Sequence, residues 1–148
     1  DPEFLGQLLP QLFEHVDVFF VNEADATTVL DQHGGARELA NSIVAEYDLD
    51  MVVVTRSTLG AVVMHDAPGT SVIHERDAVE TTDVDSTGTR EAFVGGFLAR
   101  LGADADAAEA LEYGVAAAGL ARTLPGPLLT VEPHEIDQLA AQVRENSR

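Results

Sequence analysis

The chain has 148 residues and a formal net charge of −18, set by 26 acidic residues against 8 basic ones, all of them arginine. That balance excludes a basic nucleic-acid footprint, and no apolar run reaches the roughly 18 residues that a membrane helix needs. Cysteine is absent, so disulfides and thiolate metal sites are excluded, which suits a reducing, cytoplasmic setting, and no signal peptide is visible. The length suits one domain with a sizeable core. Few aromatics, many alanines and valines, and acids spread along the whole chain suit a halophile's solvated surface or a high-GC genome, and molar salt would screen the self-repulsion of such a charge.

Asp1-Pro2-Glu3-Phe4 reads as translated cloning-site sequence, leaving residues 5–148 as the folded unit. Leu5, Leu8, Leu9, Leu12 and Phe13 recur at helical spacing, interrupted by Pro10. Residues 16–21 (VDVFFV) form a short β-branched and aromatic run suited to a buried strand. It ends at Asn22, which can cap a helix running through Leu30. Ala36 to Asp48 is an amphipathic helix with Leu39, Ile43, Val44 and Tyr47 inward, and residues 50–55 (DMVVVT) give a second buried strand. Strand, helix, strand predicts a right-handed parallel βαβ unit. Leu59 to His65, Ser71 to Glu75 and Val79 to Val84 read as short antiparallel edge strands, joined by turns at 67–69 and 76–77. The five histidines lack i,i+4 or HxH partners and read as surface or edge residues.

Asp83 to Leu98 is the stretch that carries chemistry. An acidic strand end meets a Ser/Thr/Gly turn that opens an apolar helix, with Phe93, Phe97, Leu98 and Leu101 inward. Such a turn leaves backbone N–H groups unpaired where the helix dipole favours anions, phosphate above all. Glu91 in the first turn could act as a base toward a bound group. The plainer alternative is a capped helix start, with Ser86 or Thr87 as N-cap and Glu91 an ordinary first-turn acid. Gly95-Gly96 inside the helix implies close packing against another element. Asp104-Ala105-Asp106 caps a helix from Ala107 to Leu124 whose small residues let a neighbour or a flat ligand approach. Val131-Glu132-Pro133 opens a last helix with Ile136, Leu139 and Val143 inward.

Asp85-Ser86-Thr87-Gly88-Thr89-Arg90-Glu91-Ala92-Phe93 resembles the D-T-T-G-A-G-D-A-F signature of the ribokinase-like (PfkB) carbohydrate kinases, with Arg90 at its second glycine and Glu91 at its aspartate. Three further stretches are similar. Asn22 to Asp25 resembles the N-x-x-E motif, with Asp25 in place of Glu. Thr55, Ser57 and Gly60 resemble T-x-G-x-x-G, with Ser57 at a glycine. Residues 110–120 resemble the A-L-x-x-A-N-A-A-A-A-L helix beside the adenine pocket, with Val115 at its asparagine and Gly126 near its loop glycine.

The resemblance spans most of the chain and corresponds to the C-terminal, nucleotide-binding half of such kinases. It implies an α/β fold, a partial Rossmann-type sheet of a parallel βαβ unit plus antiparallel edge strands flanked by helices. It also implies transfer of the γ-phosphoryl group of ATP to a sugar hydroxyl. Glu91 would be the base and Gly88, Thr89 and Arg90 the anion hole. Asn22, Thr55, Ser57, Gly60, Val115 and Gly126 would line the nucleotide site. Asp25 would join a Mg²⁺ network, and Asp85 and Thr87 would bind a monovalent cation such as K⁺. ATP or ADP is then the expected partner, with sugar bound only when the N-terminal half is present. If the glycine at position 90 needs positive φ, arginine there is strained by roughly 1–3 kcal/mol. The alternatives are a pseudokinase that binds nucleotide without transferring phosphate, and a scaffold that self-associates through an exposed sheet edge.

Overall fold

The computed structural model describes residues 1–57, 60–67, 70–126 and 131–147. These divide into two compact units, the first Asp1–Ser57 with Val62–His74 and the second Thr58–Ala61 with Glu75–Arg148.

In the first unit, helix α1 (Pro2–Leu12) starts at Asp1, whose side chain accepts from the Glu3 amide at 3.0 Å, so residues 1–4 belong to its first turn. Pro10 is accommodated within the helix, which tightens into a 3-10 turn over Phe13–His15. Strand β1 (Val18–Asn22), α2 (Glu23–Leu30), α3 (Ala36–Tyr47) and β2 (Met51–Thr55) follow as the spacing predicts. β1 and β2 pair in parallel, Val18 opposite Met51 through Asn22 opposite Thr55, which puts Asn22 and Thr55 side by side at the strands' C-terminal ends. With β3 (Ala61–Ala67) and β4 (Thr70–Arg76) they form a mixed sheet in the order β1-β2-β3-β4. β1 is therefore an edge strand, and all five of its residues are half-buried.

Leu39, Ile43, Leu49, Val52, Val54 and Val62 pack into one apolar cluster, each such side chain contributing about 1.5–3 kcal/mol by burial. Phe13 meets Phe19 and Tyr47 edge-on at 4.8 and 4.9 Å. Val53, pointing to the opposite face of the sheet, is also fully buried, as a continuous apolar strand requires. α2 and α3 both stop at an aspartate in the left-handed region, Asp31 (φ 52°) and Asp48 (φ 53°).

The second unit holds α4 (Thr89–Gly102), α5 (Ala107–Arg122) and α6 (Pro133–Asn146). Asp106 caps α5 by accepting from the Glu109 amide at 2.8 Å, and Glu132 and Glu135 form a capping box ahead of α6 with Pro133 at its start. α5 is the core element, buried along most of its length, because its alanines and glycines admit close neighbours. A Cβ on Gly114 would stand 3.0 Å from the Phe93 carbonyl, and one on Gly96 would stand 3.0 Å from the Ala117 side chain. Along this helix the small residues therefore serve helix packing.

Four expectations need correction. Val79 to Val84 forms no strand: the Val84 amide donates to the Arg122 carbonyl at 2.7 Å, and Val79 and Thr81 lie over Gly119 of α5. Leu98, expected inward, is 46 % exposed, since it sits about 100° around the helix from the buried Phe97. Of the glycine pair in α4 only Gly96 is tightly packed; nothing approaches Gly95 within 4 Å. The helix expected to reach Leu124 ends at Arg122. Leu59, Pro68 and Gly69, expected at a strand start and in a turn, lie outside the described residues.

Candidate functional site

The helix start at α4 departs from the ordinary capped form. Its N-cap is Gly88, at φ 78°, ψ 1°, a left-handed conformation that glycine adopts without penalty. Neither Ser86 nor Thr87 is the N-cap, and no side chain caps the helix. The Thr89 hydroxyl turns back to donate to the Ser86 carbonyl at 2.7 Å, and the Thr89 amide donates to the same oxygen at 3.3 Å. The Ala92 amide donates to the Gly88 carbonyl at 2.9 Å, closing the first helical bond. Between them, the amides of Arg90 and Glu91 are the orphan donors that any helix N-terminus leaves.

Arg90 lies inside the helix, and the non-glycine residues with positive φ are Asp31, Asp48 and Asp104, so the expected strain at position 90 does not arise. The left-handed residue of the signature is Gly88 instead. The Arg90 side chain is exposed and makes no hydrogen bond or ion pair among the described residues. That sets it apart from Arg76, Arg100, Arg122 and Arg144, each of which pairs with a carboxylate. Glu91 is likewise exposed on the first turn, where its charge suits the helix dipole.

Asp85 fixes the approach to this turn. Its Oδ1 accepts from the Thr87 amide at 2.9 Å and its Oδ2 from the Gly126 amide at 3.1 Å. The Thr87 hydroxyl, then the Thr87 and Gly126 amides, hold its carboxyl below the usual carboxylate range. Gly126 is itself left-handed (φ 89°), with nothing within 4 Å of where a Cβ would stand. Asp85, Thr87, Gly88, Thr89, Arg90, Glu91 and Gly126 are thus brought together by the structure within the second unit.

Two expected residues in that unit present little surface. Val115 is buried in α5, and Gly60 is buried with the backbone of residues 76–78 against it, a Cβ there standing 3.0 Å from the Arg76 carbonyl. Close backbone approach accounts for glycine at position 60.

In the first unit, Asn22 caps α2: its Oδ1 accepts from the Asp25 amide at 2.7 Å and its Nδ2 donates to Asp25 Oδ2 at 2.7 Å. Thr55 ends β2 beside it and Ser57 follows in the turn. Among the described residues no three His, Cys, Asp or Glu side chains gather to hold a metal ion. The chemistry of the set still fits magnesium delivered with a nucleotide, because Mg²⁺ keeps several waters and takes one or two carboxylates together with substrate phosphates. Asp25 supplies one carboxylate of that kind.

Sequence reasoning missed Glu112. On the alanine-rich α5 it is 2 % exposed, gripped by Arg76 through Nε (3.2 Å) and Nη2 (2.9 Å) and by Arg144 through Nε (2.9 Å) and Nη2 (2.8 Å). Its hydrogen bond and charge push the Arg144 guanidinium up. The partners lie 36 and 32 positions away, so no local motif marks the triad. His65 and His74, stacked at 5.8 Å on β3 and β4, are a second long-range pair of this kind.

The family model for pfkB family carbohydrate kinases matches residues 2–133. A 2-dehydro-3-deoxygalactonokinase of Haloferax volcanii is 42% identical over 128 residues, 86% of this chain and 39% of that protein. The 2-dehydro-3-deoxygluconokinase of Thermotoga maritima superposes with a TM-score of 0.76 at 24% identity, over 95% of this chain and 46% of its own. The phosphofructokinase-2 of Escherichia coli in complex with substrates and products gives 0.77 at 19%, over 94% and 45%. A putative ribokinase II of E. coli in complex with ATP and Mg²⁺ gives 0.74 at 24%, over 90% and 42%. These solved structures speak for the fold, and the chain spans less than half the length of each of the four proteins. With the signature turn, the parallel βαβ unit and a matched span of 2–133 in agreement, the chain belongs to the pfkB family of carbohydrate kinases.

Proposed function

We propose that the chain is the nucleotide-binding portion, the C-terminal half, of an ATP-dependent carbohydrate kinase of a halophile's cytoplasm. The observation that carries this reading is the start of α4, which no side chain caps, with left-handed Gly88, two orphan amides and an arginine that has no acidic partner among the described residues. In this reading the orphan Arg90 and Glu91 amides, with the backbone of Gly88, form the anion hole for the γ-phosphate, the Thr89 amide being held by the Ser86 carbonyl, and the Arg90 guanidinium adds a direct contact. Glu91 takes the proton of a sugar hydroxyl as that oxygen bonds to the γ-phosphorus and the bond to the β–γ bridging oxygen breaks. In the first unit, Asn22, Thr55 and Ser57 are the residues assigned to nucleotide binding. Magnesium arriving with ATP would neutralise phosphate charge, with Asp25 as its protein carboxylate. Asp85 and Thr87 each keep oxygen lone pairs for a monovalent cation.

Sugar binding requires chain beyond these residues, which span 39% of the Haloferax relative. The apolar edge at β1 fits an interface with that remainder or with a second copy. A cleft of about 290 Å³ between α1, β1 and α2 is lined by Leu5, Leu9, Phe19, Val21 and Val29, and Phe4 beside it is 62 % exposed.

Titration calorimetry of Mg-ATP and Mg-ADP in molar KCl tests the reading. Saturable binding abolished by Arg90→Glu is expected; absence of binding at millimolar nucleotide overturns it. A second reading, a nucleotide binder that transfers no phosphate, is favoured by the replacement of the signature's second glycine and its aspartate by Arg90 and Glu91. ADP release by the full-length protein above background removes that reading, and Arg90→Gly combined with Glu91→Asp then raises turnover.

A further inference from the structure

We infer that Asp85 is a positioning residue that locks the phosphate-facing turn to the loop after α5. This rests on the nucleotide reading above. The Val84 and Asp85 amides both donate to the Arg122 carbonyl, at 2.7 and 3.1 Å, and the Arg122 guanidinium pairs with Asp83. Asp85 Oδ2 accepts from Gly126 in return, while Oδ1 holds Thr87, the residue before left-handed Gly88. The segments 83–87 and 122–126 are therefore stitched in both directions, backbone to backbone and side chain to backbone.

The chemistry at position 85 is demanding. A carboxylate is acceptor-only and can receive both amides at once, whereas an asparagine placed there turns an N–H₂ donor toward one of them. Hydrogen bonds to a charged acceptor are roughly twice as strong as neutral ones. Both oxygens are thus engaged by amides of the protein itself, so the carboxylate orders the turn directly. The two left-handed glycines described in the second unit, Gly88 and Gly126, are held in register by one side chain between them. A nucleotide spanning both loops binds well only while that register holds.

The experiment compares wild type with Asp85→Asn and Asp85→Ala in the 148-residue protein at equal ionic strength in KCl and in choline chloride. Amide exchange at Thr87 and Gly126 is read with calorimetric affinities for Mg-ATP and adenosine. The expected result is protection of both amides in wild type in either salt. In Asp85→Asn, Gly126 loses protection and Mg-ATP binding weakens roughly tenfold, the scale of one charge-assisted hydrogen bond, while adenosine weakens less. Should Asp85→Ala fail to fold, the asparagine variant carries the comparison. Protection at Gly126 that appears only in potassium would make the cation, and not the Asp85 carboxylate, what orders the turn, and would overturn the inference. So would equal losses for ATP and adenosine, the mark of a general loosening, or wild-type ATP affinity in both variants. A wild-type chain that binds no Mg-ATP overturns the nucleotide reading itself, and this inference with it.

Discussion

Helices α2 and α4 both begin just after a segment rich in β-branched residues, yet their first turns are built in opposite ways. At α2, Asn22 is extended (φ −92°) and exchanges two 2.7 Å hydrogen bonds with Asp25, so the helix start is closed by its own side chains. At α4, Gly88 is left-handed, no side chain caps, and Thr89 turns its hydroxyl away to the Ser86 carbonyl. A closed start is capped from within, by its own side chains. An open one leaves donors that water or an anion must satisfy. The signature segment is thus set apart from the start of α2 by a left-handed glycine where α2 has a side-chain cap.

Substitutions can break this contrast. The largest effect is expected at Gly88, where a β-branched residue is strongly disfavoured at positive φ: Gly88→Val should lower stability by about 1–3 kcal/mol in a denaturant titration and weaken Mg-ATP binding with it. Opposing the closed start, Asn22→Ala should cost about 1 kcal/mol, the usual worth of such a cap. Arg90→Glu sharpens the comparison by separating stability from function. An acid in the first turn suits the dipole, so the variant should gain about 0.3–1 kcal/mol while losing nucleotide. The smallest effect is pH dependence. Because the folded state favours the ionised Asp85, its contribution is complete at neutral pH and fades as pH falls below about 4; protection of the Gly126 amide, relative to its intrinsic exchange rate at each pH, should fall there.

The helices and the two core strands were legible because their apolar spacing is local: Leu39 and Ile43, Phe93 and Phe97, Ile136 and Val143 all face inward as their periods require. The signature turn was legible as a family resemblance, but not its geometry. Ser86 and Thr87 are both good N-cap residues, and only the chain's left-handed turn at Gly88 displaces the helix start beyond them. Val79 to Val84 is rich in β-branched residues as a strand is, yet its Val84 amide is satisfied by the carbonyl of Arg122, 38 positions on, which no window of sequence contains. Glu112 was invisible for a related reason. A glutamate in an alanine helix reads as solvated, and what buries it are two arginines from β4 and α6.

Glu112 has a consequence for how the second unit can come apart. Its carboxylate lies between one arginine from β4 and another from α6, so α6 is no detachable tail. Were that helix to peel away or be trimmed off, the Glu112 carboxylate would keep one cation where it now has two, a loss reduced by the half-exposure of Arg144 but added to the apolar contacts of Ile136, Ala140 and Val143. Loss of α6 and opening of the interior around α5 should therefore be a single cooperative event. A protease cutting ahead of Pro133 would meet either the whole unit folded or the whole unit open.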